Sequence, residues 1–168
     1  MWLICNNAIL TKDILIKRKW VGDERCSFCC EPESISHLLF GCSMAKYVWS
    51  MVAWVLGANC RPTSLEQFWV WIRQILPAGK QFYMPGLAAI CWGLWIARNS
   101  VCFEKKIIRS PTEIICSTCS FLSFWADLQK QEDQDKLKEG VEVLKHAALS
   151  FHPQDDGDLT GTKLIQHT

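Results

Sequence analysis

Four cysteines and a histidine fall in one short stretch, "CSFCCEPESISHLLFGC", residues 26–42. Cys26 and Cys29 are spaced C-x2-C, a tight turn that aims two sulfurs at one point. His37 follows after seven residues and Cys42 after four more. Zinc takes four nitrogen or sulfur ligands in a tetrahedron, and structural sites are closed by protein ligands alone. The spacing C-x2-C-x7-H-x4-C supplies that set, so it predicts one structural zinc held by Cys26, Cys29, His37 and Cys42. Cys30 competes with Cys29, but C-x3-C is the less favourable spacing, and Cys30 reads as a bystander.

Other chemistries use the same residue types. A redox C-x-x-C expects a thioredoxin-like βαβ context, which the flanking sequence lacks. Catalytic zinc needs an open position and a carboxylate base, for which Glu31 and Glu33 are formal candidates. The bland alternative is a set of buried thiols around a core histidine. A second C-x-x-C, Cys116 and Cys119, could join His146 and His152 in another site. Those cysteines lie in a helical pattern among Ile114, Ile115 and Phe121, which favours core thiols.

Elements must hold these groups in place. In "ILTKDILIKRKW", Thr11 is the expected N-cap, Ile14 and Leu15 face inward, and Lys17 to Lys19 close the last turn. "PESISHLLF" reads as a short helix started by Glu33 or Ser34, which aims His37, and Gly41 ends it before Cys42. Val48, Met51, Val52 and Val55 recur at helical spacing, with Gly57 as the stop. "TSLEQFWVWIRQIL" opens on a capping box, Thr63 to Glu66. The apolar stretch Phe82 to Ala97 reads as a buried helix continuing through "RNSVCFEKK", too short to span a bilayer. Ser110 caps a further helix with Pro111 first and Glu113 completing the box, and Ile114, Thr118, Phe121 and Trp125 mark its inner face. "LKEGVEVLKHAALSF" forms one more helix, and "HPQDDGDLTGTKLIQHT" is expected to be a disordered tail.

Composition narrows the class. Of 168 residues 49% are hydrophobic and 21% charged, enough to bury a core. Net charge is +1, so any contact with nucleic acid depends on local patches. Lys17, Arg18, Lys19 and Arg25 form one such patch beside the cysteines, and residues 98–109 carry another. Tryptophans 49, 54, 69, 71, 92, 95 and 125 could stack bases, but their spacing favours packing, and Trp69 and Trp71 cannot share a helix face. No basic n-region followed by an apolar run opens the chain, so free thiols in an intracellular setting, nucleus or cytoplasm, are expected rather than disulfides.

Taken together, Trp2, Thr11, Lys17 to Lys19, Cys26, Cys29, Glu33, Ser34, His37, Leu38, Cys42 and Trp49 resemble the zinc-binding domain that follows reverse transcriptase in plant non-LTR retroelements. Trp92, Trp95, Arg98 and Asn99 are similar to a Trp-x-x-Trp-x-x-Arg-Asn segment that often trails it. The resemblance implies zinc on the same four ligands and the handling of retroelement RNA or DNA beside a polymerase. No Tyr- or Phe-led Asp-Asp pair of a polymerase is present, and Met1 directly precedes Trp2, as in a detached, N-terminally clipped piece.

The expected protein is mostly α, small and helical, with a Cys3His zinc knuckle near the N-terminus. It divides into a zinc-binding part of reverse-transcriptase type (1–57), a Trp-rich helical region (58–128), and a polar helix with its tail (129–168). The expected function is a non-enzymatic zinc module contacting RNA or DNA, without a membrane. The alternatives are a protein-interaction module for a partner such as a polymerase polypeptide, or a retroelement remnant without function.

Overall fold

In the computed structural model of the chain, residues 2–6, 8–108 and 110–151 are described, with Trp2 and Cys5 described by backbone alone. Among them are seven α-helices, one π-helical turn and no strand. The helices are α1 (Trp2–Cys5), α2 (Lys12–Lys17), α3 (Ser43–Val55), α4 (Leu65–Ile75), α5 (Lys80–Phe103), α6 (Pro111–Ala126) and α7 (Gln131–Ser150). The π-turn, His37–Gly41, lies between α2 and α3. The expected disordered tail, 152–168, and His152 within it lie outside the described residues.

α6 is packed between α5 and α7, α3 lies against both α6 and α7, and the π-turn rests on α3 and α5. At the centre Trp49 is fully buried. Its ring stacks on Phe40 at 5.5 Å and meets Phe68 and Trp71 of α4 at 5.6 and 6.4 Å. Its indole N–H donates to the Leu39 carbonyl at 2.8 Å, so the polar edge of a large ring enters the core with a partner. Gly57 takes φ +68 after α3, the left-handed stop expected there.

Several local expectations shift. The α4 cap is Ser64, whose Oγ accepts the Gln67 N–H, so the box runs from Ser64 to Gln67 rather than from Thr63 to Glu66. Gln67 Oε1 in turn accepts the Thr63 N–H at 3.0 Å. Thr11 and Ser110 occupy cap positions, yet neither side chain makes a capping bond. Thr11 instead donates to Asp13 Oδ1. In α2 the deeply buried residues are Thr11 and Lys12, while Ile14 and Leu15 are half-buried. The inner face of α6 keeps Ile114 and Thr118 but turns through Ile115, Cys119 and Leu122, leaving Phe121 and Trp125 half-buried. α7 begins at Gln131, earlier than its apolar residues suggest, with Glu132 and Asp133 in the first turn where the helix dipole favours acids.

The apolar helix runs on past its apolar stretch as expected, but it starts at Lys80 and ends at Phe103, before the lysines of "RNSVCFEKK". α5 continues past Ala97 to Phe103 and is the one described helix long and apolar enough to cross a membrane. Half of its most apolar window is buried inside the protein. Past that stretch Arg98 is completely buried, and its charge must find a partner.

Candidate metal centre

Two short devices build the centre. The first is a turn over residues 26–30, closed by Cys30 N–H to the Cys26 carbonyl and Cys26 N–H to the Glu31 carbonyl at 3.1 and 2.7 Å. Phe28 N–H reaches Cys26 Sγ at 3.5 Å. An antiparallel bridge between Arg25 and Pro32 zips its base. Cys30 sits at φ +62 and is exposed, turned out of the site.

The second device is the π-turn. Ser34 Oγ accepts the His37 N–H at 3.2 Å, so Ser34 is the cap that was expected from Glu33 or Ser34. Cys42 N–H then closes on the His37 carbonyl at 2.6 Å, five residues back. In an α-helix, residues five apart are about 140° around the axis. The wider π-turn returns the chain to nearly the same side, so His37 and Cys42 face one point. Gly41 is its last residue, and Cys42 is extended.

The donor atoms of Cys26, Cys29, His37 and Cys42 all lie within 4.8 Å of one another. Cys26 Sγ is 3.7 Å from Cys42 Sγ, and Cys42 Sγ is 3.8 Å from Cys29 Sγ. Cys29 Sγ is 3.1 Å from His37 Nε2. A tetrahedron with sulfurs about 2.3 Å from its centre has edges of about 3.8 Å, so the sulfur spacing fits zinc. The contact between Cys26 and Cys42 pushes the first thiol well above its usual range and lowers the second. Binding a cation requires these protons to leave, so metal uptake releases acid. Among the described residues this is the single group of three or more metal-ligating side chains close enough to share an ion.

Glu33 is not the cap. It is 2% exposed and forms a fully buried ion pair with Arg98 of α5, whose Nε lies 3.0 and 3.1 Å from its two oxygens. The Lys12 N–H donates to the same carboxylate at 2.7 Å, and Lys12 Nζ donates to the Arg25 carbonyl at 2.5 Å. Arg98 Nη1 reaches Asn99 Oδ1 at 2.7 Å, and its guanidinium lies 5.6 Å from the Phe103 ring centre. Thus α2, the knuckle and α5 meet at one carboxylate four residues before His37. Both residues stood out in the sequence, Arg98 as the arginine closing an apolar run and Glu33 among the residues that resemble the zinc-binding domain, but nothing there paired them.

Of the basic residues, Lys17, Arg18 and Lys19 are exposed together at the end of α2. Arg25 is exposed too, but it grips Asp23 through Nε and Nη2 at 3.1 and 2.8 Å and holds that carboxyl down at about 2. In the second C-x-x-C, Cys119 is buried against the Val141 carbonyl, Cys116 is half-buried and His146 is exposed on α7. Burial pushes the Cys119 thiol up to about 12. Of the tryptophans expected in the core, Trp49 and Trp71 are buried, whereas Trp54 and Trp92 are exposed.

Residues 1–49 match the family model described as zinc-binding in reverse transcriptase. The matched span contains all four members of the cluster and ends at the central Trp49. No curated protein and no solved structure matches the chain.

Proposed function

We propose, from the match of residues 1–49 to a zinc-binding family of reverse transcriptases, that this chain is a non-catalytic zinc module of retroelement origin that contacts RNA or DNA. The supporting observation is the placement of α2. Its exposed end carries Lys17, Arg18 and Lys19, while its buried start is fastened to the knuckle through Lys12. The three cations thus sit on the helix whose other end is tied to the knuckle. Lys19 adopts φ +66, where a side chain costs about 1–2 kcal/mol and glycine costs almost nothing.

Held by Cys26, Cys29, His37 and Cys42, a zinc ion would have no position left for water and would brace the fold rather than hydrolyse a substrate. Filter binding across salt tests the reading. Retention at low salt is expected, falling with a log–log slope of about −2 for three single-strand phosphate contacts. No retention of RNA or DNA at low salt refutes it.

A second reading, a docking module for a polymerase polypeptide, draws on Trp54 and Phe151. Both rings are more than half exposed and meet edge to face at 5.3 Å. Co-purification that ignores salt and fails in Trp54→Ala would favour it.

A further inference from the structure

A cavity of about 580 Å³ opens between the N-terminal segment, α5 and α6, away from the metal ligands. Three tryptophans line it, Trp92, Trp95 and Trp125, together with Leu10, Cys91 and, at the end of α2, Arg18. The Trp92 and Trp95 rings lie 5.0 Å apart at 35°. Trp125 is braced from behind by Phe121, stacked at 6.2 Å. Trp92 is 41% exposed, although its spacing placed it in the core. The Trp95 indole N–H is buried and has no hydrogen-bond partner among the described residues. Among the described residues no carboxylate lines the cavity.

We propose that this cavity receives an unpaired base of a single-stranded nucleic acid, with the neighbouring phosphates on Arg18, Lys17 and Lys19. The proposal rests on the nucleic-acid reading above and names what that module takes. Its size falls in the range of ligand-binding clefts, about 300–1,000 Å³. Indole faces stack on any base, since every base has a π-face. The charge agrees as well: Arg18 lines the cavity, Lys17 and Lys19 adjoin it in sequence, and no described lining residue is acidic. A base inside a duplex is already stacked and cannot enter, so the site selects single strands.

Fluorescence anisotropy of the zinc-loaded full chain tests this with four labelled probes: a short RNA, the DNA of the same sequence, its duplex, and an abasic strand of equal length and charge. The single strands are expected to bind roughly tenfold or more tighter than the abasic strand and the duplex. The RNA and DNA arms show which sugar the site accepts. Trp92→Ala, at a partly exposed position, is expected to remove the same factor while one zinc per chain is retained. Arg18→Gln is expected to flatten the salt dependence. An abasic strand or duplex bound as tightly as the ordinary single strand overturns the base site and leaves the nucleic-acid module standing. Binding to none of the four probes at low salt overturns both.

Discussion

At the scale of single residues, the two neighbours Cys29 and Cys30 differ in every physical respect but type. Cys29 joins the metal cluster, while Cys30 is exposed in the left-handed region at φ +62. Cys30→Gly is therefore expected to keep one zinc per chain and to raise stability by about 0.5–1 kcal/mol, as read by denaturant unfolding. Loss of the metal in that variant would make Cys30 a ligand. The remaining thiols separate by burial, which pushes both Cys91 and Cys119 up to about 12. At pH 8 only about one in ten thousand of each is thiolate, the reactive form. Iodoacetamide followed by peptide mass mapping should label exposed Cys30 and Cys60 and spare Cys91 and Cys119 in the folded chain. Early labelling of Cys119 would contradict its place in the α6–α7 seam. The Cys3His cluster was legible at this scale because all its members are local in sequence. The π-turn that converges them was not, since a five-residue closure leaves no mark in residue type.

At the scale of elements, the Glu33–Arg98 pair joins segments that no periodicity connects. Removing one partner strands a charge in the interior, so Glu33→Ala is expected to cost about 3–5 kcal/mol in chemical denaturation. The double variant Glu33→Leu with Arg98→Met should recover most of that loss. If it does not, the pair acts through something other than paired burial. Helix contacts can be tested through glycine. A Cβ on Gly93 would come within 2.4 Å of Thr118 Oγ1, itself tied to the Ile114 carbonyl at 2.9 Å, so α5 and α6 cross there with no room to spare. Gly93→Ala should lose about 1–3 kcal/mol, despite the better helix propensity of alanine. Gly140, also mid-helix, has open space where the methyl would go, and Gly140→Ala should gain about 1 kcal/mol. Thermal melts of the two variants should move in opposite directions. Helix stops such as Gly57 were readable because they are local. The cap moved from Thr63 to Ser64 because adjacent hydroxyls compete for one N–H and only the backbone decides between them.

At the scale of the whole molecule, the metal and the helical body are one energetic system. Structural zinc contributes about 10–16 kcal/mol in apparent binding energy, against about 5–15 kcal/mol for the stability of a typical domain. Without it, the segment 23–44 loses the geometry that holds Glu33, and Arg98 is left buried without its carboxylate. A chelator is therefore expected to lower the melting temperature of the whole chain, with loss of helical circular dichroism beyond that segment. An unchanged melting curve would show that the metal supports nothing beyond itself. The helical class and the tryptophan-centred core were legible from patterning. The open face of Trp92 was not, because a helical period tells which side a ring is on and not whether another element covers that side. The buried pair also sets a clock for synthesis. Its partners are 65 residues apart, so at about 5–20 residues per second the ribosome completes the metal-binding sequence and then leaves Glu33 waiting about 3–13 s for its arginine. During that interval the nascent knuckle carries a solvated carboxylate on the face it will later bury, and final docking belongs to the time after α5 has emerged.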